Sequence, residues 1–369
     1  MRIPVVIHET SGVDRRRELV LGGVPVPRGE LDGGGWFSLQ GDGGAFPVEG
    51  VPAAWWPDGS IKWLHLCGLL DLEGGARNEF DLVPTDDAPD GRLVVERDGE
   101  RLRVSGGVLD AEFAADPDQL IAVRRASDGA SLLEPPGGVR PELVLAEPGG
   151  ERTVCQWDVE SGPDVVVDTA SRIVVRLGGT FRAAQGEILA ELVLFVEVFR
   201  EAPEIRLEPV LIYLGRPDEH LIASFTLSAR TAFGGDGARY ALAGERGRCY
   251  RDVIQPYEGG PRWPDARVVQ LGSSFHRIEK RTFRESSWVK AAEGGRAQGW
   301  CHLADDSGGV TAAMRYFWQE YPRSLALDAD AGVITFGLVP PEAAPLDLRR
   351  YSPVTYGKAV YETGEGPFP

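Results

Sequence analysis

The residues that could do chemistry are concentrated in the stretch Gly308–Pro322, which opens on Gly-Gly and closes on Tyr-Pro. Because glycine and proline mark turns, this spacing predicts one strand of about a dozen residues between two turns. Side chains alternate between the faces of a strand, so Arg315 and Gln319 would share a polar face, and Tyr316 and Trp318 an apolar one. A cation and an amide on an open face could bind a sugar or an acidic ligand. An ordinary core strand with a polar outer face is the alternative interpretation.

A histidine and an arginine that are adjacent in the sequence, His276 and Arg277, form a second group of candidates. Histidine titrates near neutral pH and can accept or donate a proton, and the planar arginine fork fits a carboxylate. With Arg315 and Tyr316, these residues are the predicted catalytic set. The alternatives are a structural histidine, a charged run that pairs with itself in solvent, and a tyrosine that packs on the apolar face of its strand.

Aromatic rings supply the candidates for substrate binding, namely Trp56, Trp63, Tyr250 and Trp318. Trp56 and Trp63 flank the turn signal Pro57–Ser60, so their rings could face each other across a hairpin. Such rings can stack on a sugar, or they can fill the core of a small barrel. Tyr250 falls in a predicted loop and could line a cleft.

The elements that must position these residues are predicted to be strands throughout. The 47 glycines and 27 prolines recur at short intervals, with runs of alternating or β-branched residues between them, which is typical of an all-β protein. The run Leu189–Phe199 could pass for a helix by composition, but every second residue from Ala190 to Val198 is apolar, which favours a long strand. We expect it to pair with Glu204–Leu214 as an antiparallel hairpin around Arg200–Pro203.

The length of 369 residues predicts more than one domain. The acidic, proline-bearing stretch Pro84–Gly91 is typical of a linker or a long surface loop. We predict a small β domain at residues 1–88 and a larger β-sandwich at residues 89–345. Residues 346–369 form a proline- and glycine-rich exit segment that closes no element, from which we expect that more protein follows.

The charge balance of the chain restricts the classes of molecule that it can bind. The formal net charge is −17, with 39 Lys and Arg against 56 Asp and Glu, so the basic footprint that nucleic acid requires is missing. An acidic oligo- or polysaccharide, the predicted partner, would have to be met by local arginines. No run reaches the roughly 18 apolar residues of a membrane helix, so no membrane partner is expected. The opening residues lack the apolar stretch of a secretory signal, which predicts a cytoplasmic protein. The sequence does not indicate an oligomeric state.

Metal and cofactor motifs are weak. The four cysteines occur singly, without zinc spacing, and the sequence contains no HExxH, GxSxG or Walker motif. Asp305 and Asp306 precede Gly308 and could bind calcium, although an acidic turn is the simpler account. We therefore expect no cofactor.

Two motifs together resemble a known family. The entry VPVPRGEL at residues 24–31, followed by the WPDGSIKW turn at residues 56–63, resembles the N-terminal barrel of the exo-rhamnogalacturonan lyase and YetA-like family. The run HRIEKRTFRESSW at residues 276–288, followed by GGVTAAMRYFWQEYPRSLALD from Gly308, resembles the central β-sandwich of that family. The resemblance extends over residues 1–350. It implies a small RIFT-type β-barrel followed by a large antiparallel β-sandwich, with an α/α toroid that would begin where this chain stops.

The resemblance also implies a chemistry. A lyase of this kind removes the proton α to a uronate carboxylate and expels the 4-linked sugar by β-elimination. An arginine or a metal neutralises the carboxylate, a base takes the proton, and a tyrosine or histidine protonates the leaving oxygen. The function expected from the resemblance is therefore the β-rich part of a polysaccharide lyase acting on uronate-containing glycans such as rhamnogalacturonan. The alternatives are a non-catalytic carbohydrate-binding or scaffold module and an accessory domain of a glycoside hydrolase.

Overall fold

The protein is described here as a computed structural model, which covers residues 2–134, 138–147, 149–254, 263–281 and 287–348. Within these ranges the chain forms strands that pair antiparallel in five sheets, and no α-helix is present. The prediction of an all-β protein is therefore confirmed. The same ranges contain no helix that is long and apolar enough to cross a membrane.

The first sheet comprises the six strands that come first in the chain. They are β1 (Ile3–His8), β2 (Arg15–Pro25), β3 (Gly35–Gly41), β4 (Gly44–Trp55), β5 (Ile61–Leu72) and β6 (Arg77–Pro84). Their order in the sheet is β1-β6-β3-β4-β5-β2. Every second residue of β5 from Leu64 to Leu72, apart from Gly68, is a buried leucine that packs in the core of this sheet. The alternation of β5 thus places one of its faces in the core.

The next strands build two sheets and begin a third. They are β7 (Val94–Asp98), β8 (Arg101–Ser105), β9 (Leu109–Ala114), β10 (Ile121–Arg125), β11 (Ser131–Leu133), β12 (Val139–Ala146), β13 (Arg152–Val154), β14 (Gln156–Asp168), β15 (Arg172–Arg182), β16 (Ile188–Phe199) and β17 (Ile205–Tyr213). Strands β11 to β7 form a five-stranded sheet, and β14 to β17 form a four-stranded meander. Buried residues of both sheets and of β12 share one core.

The remaining strands complete the fold. They are β18 (Leu221–Arg230), β19 (Arg239–Ala243), β20 (Cys249–Val253), β21 (Asp265–Gly272), β22 (Phe275–Arg281), β23 (Val289–Gly294), β24 (Trp300–Asp305), β25 (Gly308–Ala313), β26 (Arg323–Asp328) and β27 (Val333–Val339). An eight-stranded sheet has the order β13-β12-β18-β27-β26-β21-β22-β23, and a four-stranded sheet has the order β20-β19-β24-β25. One half of the long sheet covers the core shared with the meander, and the other half packs on the β20-β19-β24-β25 sheet. Phe336 of β27 contacts both cores.

The predicted hairpin is present. Strand β16 pairs antiparallel with β17, from Ala190 opposite Tyr213 to Val198 opposite Ile205. The apolar residues at every second position from Ala190 to Val198 are buried in the core. This confirms that Leu189–Phe199 is a strand and not a helix.

The prediction of one strand over Gly308–Pro322 is wrong. Strand β25 ends at Ala313, which pairs with Trp300, the first residue of its neighbour β24. Because β24 begins at Trp300, Met314 has no residue of β24 to pair with. Its N–H instead donates to the Gly299 carbonyl at 2.8 Å. The chain then turns, so the predicted division of side chains between two faces does not hold.

The predicted linker is held against the body of the protein. Arg200 is buried, and one of its terminal nitrogens, Nη1, donates to the carbonyls of Pro89, Asp90 and Gly91 at 3.3, 2.9 and 2.8 Å. The Glu49 carboxylate of the first sheet accepts the backbone N–H groups of Ala170 and Ser171 at 3.0 and 2.7 Å. The domain limits at 88 and 345 stay predictions. Of the exit segment 346–369, residues 349–369 lie outside the described residues.

Candidate functional site

Four connecting segments meet at one end of the two sheets that contain β19 to β27. Together with the strand ends Gly272, Phe275 and Gly294, they cover residues 244–248, 272–275, 294–299 and 314–322, and we call this region the loop end. The strand registers bring them together: His276 pairs with Gly294, Trp300 with Ala313, and the segment 294–299 crosses from one sheet to the other. Loops at the end of a rigid sandwich are common positions for binding residues.

The amide of Gln270 fixes the crossing segment. This side chain is fully buried, and its Nε2 donates to the carbonyls of Gly272 and Gly295 at 2.6 and 3.0 Å. Its Oε1 accepts the Ala297 N–H at 2.9 Å. One side chain therefore satisfies backbone groups of two connecting segments, which holds the loop end in a single arrangement.

His276 lies beneath this surface. Only 2% of the residue is exposed, and its imidazole packs against Gly244 and Gly294. A Cβ at Gly294 would approach the imidazole Cε1 to 2.7 Å, so glycine is required beside the ring. The Nδ1 atom has no hydrogen-bond partner among the described residues. The buried position prevents contact between His276 and a polymer in this conformation.

The surface of the loop end carries an arginine stacked on a tryptophan. The guanidinium carbon of Arg296 lies 4.1 Å from the centroid of the half-buried Trp318 ring. Arg296 is exposed, and its Nε donates to the Ser273 carbonyl at 3.3 Å. A cation placed over an indole face in this way is stabilised by the ring quadrupole. The stacked pair presents the exposed guanidinium of Arg296, with its donors, at the surface.

The segment 314–322 is anchored by one ring and exposes others. Phe317 is buried against Gly299, whose φ of +69° is the left-handed conformation that favours glycine, and a Cβ there would lie 2.2 Å from the Cβ of Phe317. Tyr316 has a φ of +54° and is 59% exposed, so it does not pack on an apolar strand face as one interpretation expected. Arg315 and Tyr321 are also exposed.

The loop end is cationic in a strongly acidic chain. Its segments, extended by the neighbouring Arg323, contain five arginines and two glutamates. Glu245 pairs with Arg248 at 3.7 Å, and Glu320 pairs with Arg323 at 2.9 Å. The other three arginines have no ion-pair partner among the described residues, and these are Arg246, Arg296 and Arg315. Arg246 instead donates to the backbone carbonyl of Ser11 in the first sheet's connecting loop.

Of the predicted catalytic set, the loop end contains Arg315 and Tyr316, while His276 is buried against Gly244 and Gly294. Arg277 is not part of it, because neighbouring residues of a strand point to opposite faces. Arg277 extends from the outer face of β22 and lies 3.5 Å from the Glu279 carboxylate. The structure therefore does not bring His276 and Arg277 to a common site.

Of the predicted substrate-binding rings, only Trp318 lies at the loop end. Tyr250 is part of strand β20 and not of a loop, and its hydroxyl donates to Asp252 at 2.8 Å. Burial raises the pKa of Tyr250, while the Lys280 ammonium opposes that rise, so its hydroxyl stays protonated near neutral pH.

The tryptophans of the first sheet do not face each other. Trp63 pairs with Ala54, and Trp56 lies in the turn, where its indole N–H donates to the Val26 carbonyl at 3.0 Å. Trp55 and Trp63 are both exposed, so neither fills a barrel core. These rings remain open to solvent, on a different sheet from the loop end.

Sequence reasoning missed Arg246, Arg296, Glu245 and Gln270. The signal that could have found the two arginines is their position between glycines, in GERG at residues 244–247 and GGRAQG at residues 294–299. Gln270 gave no such signal, because a glutamine within an apolar strand resembles any other polar residue.

The carboxylates of the acidic turn, Asp305 and Asp306, have partners within the protein. The Asp305 carboxylate accepts the N–H and hydroxyl of Ser307 at 2.8 and 2.6 Å, and Asp306 pairs with Arg239 at 3.1 Å. Across the described residues, no group of three or more His, Cys, Asp and Glu side chains is arranged to hold a metal ion. The simpler interpretation of Asp305 and Asp306, a turn, accounts for these contacts.

Two comparisons with known proteins identify relatives. A family model described as the PcRGLX-like N-terminal RIFT barrel domain matches residues 14–68, and one described as the PcRGLX-like protein central beta sandwich domain matches residues 241–365. The chain is also 26% identical over 408 aligned residues to the uncharacterized protein YetA of Bacillus subtilis (strain 168). That alignment covers 95% of this chain and 46% of YetA, so the chain spans about half the length of the curated relative it matches. The whole loop end falls inside the central sandwich match.

Proposed function

This chain belongs to the YetA-like family of PcRGLX-like proteins, and from that premise we propose that it is the β-rich part of a lyase-like protein acting on uronate-containing glycans such as rhamnogalacturonan. The family supplies the N-terminal RIFT barrel and the central β-sandwich. The proposal adds a substrate class and a site, the loop end.

The single observation that supports this proposal is the local excess of arginine. A chain with a formal net charge of −17 repels acidic polymers over most of its surface. At the loop end the sign is reversed, and Arg296 and Arg315 are exposed without a carboxylate partner among the described residues. An unpaired guanidinium held over an indole is suited to a uronate, because the ring fixes the fork in place and the fork binds the carboxylate.

The chemistry assigned to these residues follows from the needs of β-elimination. Arg296 and Arg315 hold the uronate carboxylate and stabilise the negative charge that develops when the α proton leaves. One of the two exposed tyrosines, Tyr316 or Tyr321, in its deprotonated form takes the α proton and then donates it to the expelled sugar oxygen, so that the proton removed from the uronate ends on the leaving group. In this assignment His276 positions the loop end from below and exchanges no proton with substrate.

Binding can be tested with a matched pair of ligands. We expect this chain to bind rhamnogalacturonan oligosaccharides and to lose that binding when their carboxylates are chemically reduced to alcohols. Raising the salt concentration should weaken the interaction as well, because exposed charges are screened. Equal affinity for the acidic and the carboxyl-reduced ligand in calorimetric titrations would rule out recognition by the arginines.

Elimination has a separate test in the full-length protein, namely the ultraviolet absorbance of a newly formed unsaturated uronate. Hydrolytic release of sugars without that absorbance would reject a lyase mechanism. The burial of His276 supports a second candidate function, a carbohydrate-binding module without catalysis. That function predicts binding of the acidic ligand with no absorbance change and no cleavage.

A further inference from the structure

A cleft far from the loop end is lined by strands β12 and β14 and by the connection between β9 and β10. Its cavity volume is about 320 Å³. Its lining includes Asp118, Arg140, Glu142, Val154, Gln156 and Trp157. This volume lies within the roughly 300–1,000 Å³ that is usual for ligand sites.

The floor of the cleft contains a tryptophan with an unused hydrogen-bond donor. The ring of Trp157 packs on Phe181, with centroids 4.9 Å apart, and covers Gly179, where a Cβ would lie 2.5 Å from the indole. The indole Nε1 is buried and has no partner among the described residues. Because this atom is buried, a ligand in the cleft can contact the half-buried ring of Trp157 but not its N–H group in this conformation.

The wall of the cleft carries two charges without partners. Arg140 and Glu142 are two residues apart on β12 and therefore extend from the same face of the sheet. Both are exposed, and neither has an ion-pair partner among the described residues. On the same sheet, the exposed Lys290 and Glu293 pair with each other at 2.9 Å. The donors and acceptors of Arg140 and Glu142 are thus available to a ligand.

We propose that this cleft is a second carbohydrate site, and that it binds an uncharged sugar unit. The lining combines an apolar part, in which Val154 is 64% exposed, with planar polar groups. This combination suits a pyranose, which has an apolar face and a rim of hydroxyl groups. One guanidinium and two carboxylates, Glu142 and Asp118, line it, so an anionic sugar would be repelled. The cleft and the loop end therefore select opposite kinds of sugar.

The two sites lie on opposite parts of the eight-stranded sheet. Strand β12 is the second strand of that sheet and β22 the seventh, so five steps of about 4.8 Å separate them, a distance on the order of 24 Å. One glycan that carries both neutral and acidic sugars could reach both sites. The proposal goes beyond the proposed function and holds even if the loop end binds nothing.

The test uses the whole chain and four neutral tetrasaccharides, derived from β-1,4-galactan, β-1,4-glucan, β-1,4-mannan and α-1,5-arabinan. We expect at least one of the three pyranose ligands, from galactan, glucan or mannan, to bind, and the doubly substituted Arg140→Ala/Glu142→Ala chain to bind it at least about tenfold more weakly. The arabinan ligand, which consists of furanose rings, should bind more weakly than that pyranose ligand. Trp157→Phe, which replaces the indole that lines the cleft with a smaller ring, should weaken binding roughly threefold or more. The matched control is Arg77→Ala/Glu79→Ala, which removes an exposed pair on the first sheet and should bind normally.

Binding of none of the four sugars by the unsubstituted chain would overturn the proposal. So would equal affinity in the Arg140→Ala/Glu142→Ala and control chains, each shown to be folded by its thermal transition. Tighter binding of a galacturonate tetramer than of any neutral sugar, lost on substitution of Arg140, would assign the cleft to acidic ligands and overturn it as well. If the Arg140→Ala/Glu142→Ala chain binds the galacturonate tetramer with unchanged affinity, that acidic ligand binds outside the cleft, as the proposal for the loop end expects.

Discussion

Arg296 lies over the ring of Trp318, with its guanidinium carbon 4.1 Å from the ring centroid, although the two residues belong to different connecting segments. Replacing Arg296 with Ala should remove both the guanidinium donors and the stacked surface. We expect the affinity for a galacturonate oligomer to fall about fivefold to thirtyfold, or ~1–2 kcal/mol, without a change in the fold. Calorimetric titration measures this directly.

Arg248→Ala is the control for that experiment, because this arginine is 81% exposed in its side chain and already pairs with Glu245. Its removal should leave the affinity within about twofold, since an exposed pair contributes little. If the two variants lost affinity equally, binding would depend on total charge and not on the stacked pair.

Gln270 should be among the residues whose loss most strongly destabilises the sandwich. Gln270→Leu keeps the side chain buried but leaves the Gly295 carbonyl and the Ala297 N–H without partners. We expect a loss of about 2–4 kcal/mol in the free energy of unfolding, measured by urea denaturation. Gln298→Leu, at an exposed position of the same loop, should change the free energy by less than about 0.5 kcal/mol. A Gln270→Leu chain as stable as the original would show that water can replace the amide.

Arg200 should control access to the linker between the first sheet and the rest. Arg200→Met retains a long apolar stem but removes the donors to the Pro89, Asp90 and Gly91 carbonyls. Protease cleavage within residues 84–91 should become at least tenfold faster, because a segment is cut when its backbone leaves the body of the protein. Arg216→Met, at an arginine with a 69% exposed side chain, should leave the cleavage rate unchanged. Equal rates for both variants would mean that other contacts hold the linker.

Glu9 should make the first sheet sensitive to acid. Hydrogen bonds from the Ser11 hydroxyl and the Gly75 N–H, together with those from the Ser11 and Gly12 N–H groups, hold the pKa of this carboxyl well below its usual range. A depressed pKa stabilises the fold at pH values above the unfolded pKa of about 4.3, and that stabilisation is lost as the pH falls towards the folded pKa. Glu9→Gln should therefore be less stable than the original chain at pH 7, with the difference shrinking below about pH 4.

The measurement is the free energy of unfolding between pH 2 and pH 7. Glu79→Gln, at a carboxylate with a 67% exposed side chain, should show no comparable pH dependence. A constant difference between the Glu9→Gln and original chains over the whole range would mean that hydrogen bonding alone, and not ionisation, accounts for the role of Glu9.

Strand content could be predicted from the sequence because it depends on local alternation. The run from Ala190 to Val198 alternates over the full length of β16, and no turn residue interrupts it. The end of β25 could not be predicted in the same way, since alternation continues past Ala313 in the sequence. It is decided by β24, which begins at Trp300 and leaves Met314 without a strand partner.

The candidate site was only partly predictable for a similar reason. Residue type indicates what Arg315 or His276 can do, but exposure decides whether it can meet a ligand, and exposure depends on residues distant in sequence. His276 is covered because Gly244 and Gly294 allow two other segments to close over it. Arg296 is exposed because Gln270 holds its segment at the surface from below.

The eight-stranded sheet is shared between two cores, and Phe336 of β27 packs in both. A fragment that began after β18 would keep one core. Without β18, however, β27 would become an edge strand whose N–H and C=O groups had lost their partners. Such an edge pairs readily with another copy of itself. We therefore expect that fragments of the protein that begin or end between β12 and β27 aggregate when they are expressed.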